Sequence, residues 1–321
     1  MTPPLALPLA RYCFTAVFEA DLVLPDYAGA LLRSCFGAAL RETVCSTGRD
    51  DCKACPLYRS CAYPALFETP PRPTQFEQRF SQVPNPYIIE PPRIGCTHVP
   101  AGQALSFHMV LIGAGALRQL PLVVQAWKRA LRQGLGQARV RGALRSVSHV
   151  DADRTHTPAF DLAQAQVLPH AAVHALPLEL PRPLERLQLL IDTPLRLQNN
   201  GRPLRPQELS PRTLISQLLR RVNLLLDLHM DIRPAPFDGA ALVAAAATLQ
   251  DDRSQLHWKD WARYSARQGQ EMNLGGVLGR WTLYGELAPL LPWLTLGQWL
   301  HLGKNATMGL GQYGLATVTA H

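Results

Sequence analysis

A chain of 321 residues, 47% hydrophobic and with a mean hydropathy of −0.04, is long enough for about two domains with apolar cores. No uninterrupted apolar run reaches the ~18–20 residues of a membrane span, and Met1–Ala10 lacks the basic region and long apolar stretch of a signal peptide, so a cytoplasmic protein with no membrane partner is expected. The net charge of +8 and pI near 9.3 favour an anionic partner. Among 32 basic residues only Lys53, Lys128, Lys259 and Lys304 are lysines; arginine suits bidentate phosphate contacts and base stacking, although a GC-rich genome yields the same bias.

Residues 11–20 read as a strand. Pro25 and Asp26 then open a helix through about Val44, with Leu31, Leu32, Cys35, Phe36, Ala39 and Leu40 on one apolar face and Arg33 and Arg41 off it. An irregular, proline-rich insert covers about 45–86. Strands follow at Tyr87–Glu90 and Leu105–Ile112, then a helix at about Leu120–Arg132 and a strand at 139–150. This is the β-α-β-β-α-β order of a ferredoxin-like unit.

A proline- and histidine-rich connector, about 151–183, separates it from a second pass through the same order. Leu187–Leu197 is strand-like. Ser210 caps a helix with Pro211 at its first position and Leu214, Leu218, Val222 and Leu225 along its apolar side. Residues 257–268 and 277–285 alternate like a hairpin, a short helix spans about 288–300, and Tyr313–Thr319 closes the sheet. The predicted fold is α+β: two tandem ferredoxin-like (RRM-like, βαββαβ) domains, 1–150 and 151–321, the first carrying a four-cysteine insertion and the second a C-terminal glycine-rich loop, 303–314.

Cys45, Cys52, Cys55 and Cys61 place four thiols within seventeen residues, two of them as a C-x2-C pair. That spacing suits a tetrahedral metal site in a reducing compartment better than a disulfide framework. Structural zinc is the default for four cysteines; an iron–sulfur cluster uses the same ligand set, and Pro56 after Cys55 keeps it open. A closed four-cysteine site is structural or redox-related rather than hydrolytic. Cys13, Cys35 and Cys96 read as core thiols.

Two further features favour a polynucleotide. Period-two spacing puts Lys259, Trp261, Arg263, Ser265 and Arg267 on one strand face, cations interleaved with an aromatic, or else a solvated face with no ligand. Tyr264 points to the opposite side. The segment His301–Gly314 holds Gly303, Gly309, Gly311 and Gly314 with His301 and Lys304. Such a loop lets backbone N–H groups approach an anion, or simply turns tightly into a terminal strand. Gly309-x-Gly311-x-x-Gly314 matches the dinucleotide fingerprint, but only seven residues follow, so the required helix and acidic residue are missing. Lys304-Asn305 excludes a Walker loop.

The motifs Trp258-Lys-Asp-Trp-Ala-Arg-Tyr-Ser-Ala-Arg-Gln268, Gly275-Gly276 and His301-Leu-Gly-Lys304 through Gly314 resemble those of the CRISPR precursor-RNA processing endoribonucleases of the RAMP superfamily. The cysteine cluster with Tyr63 and Phe67-Glu68 is similar to a cysteine-bearing branch. The resemblance implies metal-independent cleavage within CRISPR repeats by 2′-hydroxyl attack, leaving a 2′,3′-cyclic phosphate and a 5′-hydroxyl. It also implies retention of the crRNA and contact with other CRISPR effector subunits. Non-catalytic RAMP subunits share the glycine loop, so a scaffold that holds crRNA without cutting is the alternative. A ferredoxin-type iron–sulfur redox protein would leave the basic features without a role.

Many members of this family take a base from a histidine near the first helix, whereas residues 21–48 here contain none. By location Tyr27, Arg33 and Arg41 are the polar residues there, the two arginines as RNA contacts. His301, after an apolar helix, is then the expected general acid. Lys304, Arg263 and Arg267 would stabilise phosphate charge and Tyr264 is a second proton donor. His257 is the next histidine in rank. His98, His108, His149, His156, His170, His174, His229 and His321 read as structural or exposed.

Overall fold

The computed structural model describes residues 7–71, 83–171, 184–265 and 270–317, with the backbone alone for 262–265 and 270–273. The chain divides into two compact units, one built on Ala6–His174 with Leu224–Pro234, the other on Ala175–Asn223 with Ala235–His321.

The first unit is laid down by β1 (Leu9–Phe18), α1 (Gly29–Val44), α2 (Ala62–Phe67), β2 (Tyr87–Glu90), β3 (Ala104–Ile112), α3 (Leu120–Gln133), β4 (Gly142–Val150) and β5 (His156–Pro158). Its antiparallel sheet has the order β2-β3-β1-β4-β5, with the ferredoxin-like strands paired as their element order demands. Alternation along β1 sends Tyr12, Phe14, Ala16 and Phe18 to a core shared with α1 and α3, where Trp127 is fully buried against Phe14, Phe36 and Phe107. The predicted apolar side chains of α1 pack as expected, but the helix begins at Gly29, not at Pro25–Asp26. The insert is also less irregular than expected, because α2 docks Phe67 on Phe36 and Tyr87.

Residues just after β4 do not form a free connector. His156–Pro158 pairs with β4, which moves the division between the units from 150 to about 174. The rings of Tyr12, the buried His149 and His170 lie against one another in this unit. The Nδ1–H of His170 donates to the Leu168 carbonyl (2.8 Å), so Nε2 accepts from the Tyr12 hydroxyl (2.7 Å). Burial holds His149 below the ordinary imidazole pKa, outweighing Asp151 at 3.6 Å, and the His170 ring also disfavours its charge. A histidine whose folded pKa lies below its unfolded value of about 6.5 contributes full stability above that pH and loses it as pH falls. The melting temperature should therefore drop between pH 7 and pH 5, before the carboxylates titrate. The drop should be smaller in His149→Gln, and equal slopes in the two proteins would refute the assignment.

The second unit repeats the order with β6 (Arg186–Leu195), α4 (Pro211–Met230, its last turns from Leu224 counted with the first unit), α5 (Gly239–Ala247), β7 (Gln250–Lys259), β8 (Ala262–Ser265), β9 (Gln270–Asn273), β10 (Gly276–Tyr284), α6 (Leu291–Leu300) and β11 (Tyr313–Thr317). The sheet order is β7-β10-β6-β11. Leu214, Leu218, Val222 and Leu225 are fully buried along α4, as their spacing predicts. α5 was not expected, although Asp238 caps it through a 3.0 Å bond from the Ala241 N–H. The hairpin is differently divided as well. β7 starts at Gln250 rather than 257 and pairs with β10, while β8 and β9 form a separate short ladder.

Candidate nucleic-acid interface

The glycine-rich segment is held against the end of β6. His301 ends α6 in a left-handed conformation, its N–H on the Gly297 carbonyl. The Lys304 N–H donates to the Arg196 carbonyl (3.0 Å), Leu302 N–H to Gly311 (3.1 Å) and Gly311 N–H to Pro194 (3.1 Å). The buried Thr193 hydroxyl donates to the Gly309 carbonyl (2.9 Å) and accepts from the Gln312 N–H (2.8 Å). Several of the N–H groups expected to face an anion therefore serve the loop's own attachment. The glycines are needed for close packing: at Gly303 a Cβ would stand 2.5 Å from the Arg196 carbonyl oxygen, and at Gly311 only 1.8 Å from that of Leu302. Gly314 lies in β11 with open space beside it.

His301 has 0% exposure. A proton donor to RNA must touch the leaving oxygen, so this placement disfavours the acid role expected from the sequence. Arg221 pins the same helix end, its Nε donating to the Leu300 carbonyl (2.8 Å). Desolvation lowers the Arg221 pKa to about 10.

Beside the loop the structure gathers cations around an indole. The guanidinium of Arg205 lies 3.9 Å from the centre of the Trp258 ring and that of Arg196 6.0 Å from it. The Nζ of Lys259 sits 4.6 Å from the Trp261 ring centre. The Trp258 indole donates to Asp260 (2.6 Å), the one carboxylate among the groups that set the Arg196 charge. Desolvation and then the neighbouring Arg205 lower the Arg196 pKa, against that carboxylate. Two arginines held together in this way attract an anion, and the half-buried Trp258 indole beside them is a ring on which a base can stack.

The sequence pointed to this region through Lys259, Trp261 and Lys304 but not to Arg196 or Arg205, which join Trp258 only in three dimensions. The single basic face proposed for 259–267 is corrected: the ladder breaks at Asp260–Trp261, where the Trp261 carbonyl accepts instead from Leu274 N–H (2.6 Å). Arg263, Tyr264 and Ser265 lie on β8, of which only the backbone is described, and Arg267 lies outside the described residues. His257 is exposed on β7.

The two first-helix arginines have structural partners within the first unit itself. Arg33 stacks 4.4 Å from the Phe67 ring, and Arg41 donates to the carbonyls of Arg49 and Asp50. Arg41 thereby braces the cysteine loop, where Cys45, Cys52, Cys55 and Cys61 line one pocket as free thiols. Backbone N–H groups of Gly48 and Thr47 point at the Cys45 sulfur and lower its pKa, an environment that suits a thiolate. Among the described residues no group of three or more metal-ligating side chains has closed to metal-holding spacing. The four thiols share a pocket and are donors of the type zinc or an iron–sulfur cluster takes, but they do not stand at metal-holding spacing.

Two sheets of ferredoxin-like order thus stand in the two units, and the second unit carries an arginine–tryptophan cluster beside a packed glycine loop. An N-terminal-domain family (AF_1859_N) matches residues 7–172, and the family of the CRISPR-associated endoribonuclease Cas6 matches residues 189–313. The chain thus carries a Cas6-family domain over residues 189–313. Among solved structures it is similar to a chain of a partial Cas6-RT-Cas1–Cas2 complex, with 16% identity and TM-score 0.58 over 100% of this chain; the protein spans about half (48%) of that longer chain. It also resembles Thermus thermophilus Cas6 (TTHB231), with 16% identity. The product complex of TTHB231 gives TM-score 0.54 over 96% of this chain and 99% of that one, and a second TTHB231 structure gives 0.51 over 97% and 99%. No curated protein matches the sequence. No helix among the described residues is long and apolar enough to cross a membrane.

Proposed function

We propose that this protein is an endoribonuclease that cuts precursor CRISPR RNA within its repeats. The observation that carries the reading is the Arg196–Arg205–Trp258 cluster beside Lys304, which supplies phosphate contacts and a stacking surface in a chain with a domain of this family. The reaction is attack of a ribose 2′-hydroxyl on the adjacent phosphate. Its nucleophile comes from the substrate, so no metal-activated water is required, and the products are a 2′,3′-cyclic phosphate and a 5′-hydroxyl. Lys304 and Arg205 are placed to hold phosphate charge, with Arg263 and Arg267 of the adjoining hairpin as further contacts. Tyr264 stays a proton-donor candidate of that hairpin. His301 acts by anchoring the loop that carries Lys304.

A second reading, a RAMP subunit that holds crRNA inside an effector complex without cutting, draws on the burial of His301 and the lack of a histidine in residues 21–48. In either case the partners are crRNA and other CRISPR subunits in the cytoplasm. The four cysteines would hold structural zinc, which would tie the insert to α1. Metal analysis of purified protein, expected to lose its zinc in Cys52→Ser with Cys55→Ser, tests this; iron and a brown colour would mark a cluster instead.

The deciding experiment is cleavage of labelled repeat RNA from the protein's own CRISPR array, in excess EDTA, beside the same RNA with one 2′-deoxy sugar at the cut. A single cut that survives EDTA and disappears with the deoxy sugar is expected. Trp258→Ala should weaken RNA binding by about 1–3 kcal/mol, the cost of one lost stacking partner. Tight binding with no cut would favour the scaffold reading.

A further inference from the structure

The face of the first sheet turned away from Tyr12, Phe14 and Phe107 carries a polar row fixed by strand register. Glu90 of β2 stands opposite His108 of β3, His108 opposite Cys13 of β1, and Cys13 opposite Ser148 of β4. His156 of β5 completes the row: its Nδ1 is 3.1 Å from the Ser148 hydroxyl, and its ring centre is 6.4 Å from that of His108. One rung away Thr15 and Ser106 share a 3.0 Å hydrogen bond and Ser146 stands opposite Thr15. His156, Ser106 and Ser146 are exposed, and His108, Ser148 and Thr15 are half-buried. At the far end Arg11 is paired with Glu90 at 2.8 Å.

Two imidazoles on an open sheet face rich in hydroxyls match the requirements of the cleavage proposed above. Ring centres about 6 Å apart leave room for one phosphodiester to be flanked on both sides, and the hydroxyls can donate to its oxygens. We propose that His108 and His156 are the base and acid of RNA cleavage, a role that rests on the endoribonuclease reading. His108 takes the proton of the 2′-hydroxyl as the O2′–P bond forms. The P–O5′ bond breaks, and His156 gives its proton to the leaving O5′. No water, oxidant or further reactant is consumed, and the two histidines end with exchanged protonation states. The surroundings agree with these roles. Burial lowers the His108 pKa and keeps it neutral, with Glu90 opposing and Arg11 and His156 adding to the shift; Cys13 is its other titratable neighbour. His156 is exposed, so its ring can reach a bound phosphodiester.

The test is single-turnover cleavage of the same labelled repeat RNA in EDTA by wild type, His108→Ala, His156→Ala and the double variant, with RNA affinity and circular dichroism measured on each. Each single variant should fall at least about 100-fold in rate with affinity unchanged within about 3-fold, and the double should fall little further, because the two act as a unit. The wild-type rate should be bell-shaped in pH. His156→Ala should lose the alkaline limb and regain activity with added imidazole. If His108→Ala loses its native spectrum, His156→Ala and its imidazole rescue decide alone. A wild type that cuts, with folded variants that cut equally fast, overturns the pair and leaves the ribonuclease reading standing. A wild type that binds the repeat and never cuts overturns both.

Discussion

Gly311→Ala should destabilise the second unit by roughly 3–5 kcal/mol, from about 1–3 for a strained left-handed backbone and a similar amount for overpacking. Gly311 has φ of +72°, and its new Cβ would stand 1.8 Å from the Leu302 carbonyl oxygen and 2.8 Å from the carbonyl carbon, both main-chain atoms with no rotamer to escape into. The clash falls where Leu302 N–H bonds the Gly311 carbonyl and Gly311 N–H bonds Pro194, so relief must break those bonds and release Lys304 from Arg196. At about 2–4 °C per kcal/mol for a unit of this size, the calorimetric transition should move down by roughly 6–20 °C. Gly314→Ala is the control. It has ordinary backbone angles and nothing within 4 Å of the added methyl, so its stability should stay within about 0.5 kcal/mol of wild type. An open phosphate cradle would behave in the opposite way, with Gly311→Ala keeping its melting temperature and losing only RNA.

Trp127→Ala should cost the first unit about 3–5 kcal/mol, the range for emptying a buried aromatic site. Its ring centre lies 4.5 Å from Phe107, 5.2 Å from Phe36 and 6.0 Å from Phe14, and so joins α3 to β3, α1 and β1 at one point. Rigid neighbours on three sides cannot collapse into the space. Trp127→Phe separates volume from polarity. The indole N–H is buried with no hydrogen-bond partner among the described residues, so phenylalanine gives up part of the packing while removing an unsatisfied donor. Its cost should be under about 1.5 kcal/mol. Chemical denaturation followed by circular dichroism measures both. A Trp127→Phe variant as unstable as Trp127→Ala would mean that the indole N–H has a partner after all.

The elements that were legible in the sequence are those whose side chains are sorted by burial. The α4 stripe of Leu214, Leu218, Val222 and Leu225 and the alternation of β1 follow directly from a helix and a strand each having one wet side and one dry side. β7 escaped for the converse reason. It is an edge strand carrying Asp251, Asp252 and Arg253, and its backbone bonds to β10 hold it whatever its side chains are. α1 was extended by four residues because Pro25 and Asp26 look like a helix start, yet Leu24 N–H is committed to the Thr97 carbonyl and Asp26 to Gly95 N–H.

The sites divide along the same line. Cys45, Cys52, Cys55 and Cys61 line one pocket, a proximity legible in the sequence because neighbours along the chain need no fold to meet. The glycine segment was found for the same reason, but its use was not: only the packed structure shows main chain pressed against Gly303 and Gly311. Arg205 and Trp258, or His108 and His156, are brought together by strand pairing and chain return, across dozens of residues that carry no trace of the meeting. By itself the sequence determined the two-fold βαββαβ plan, the spacing of the cysteine loop and the basic character of the chain, since each is encoded in local period, spacing or charge. Which histidines face solvent, which arginines stack and which glycines bear packing were decided by the tertiary structure, because burial and proximity are properties of the folded chain.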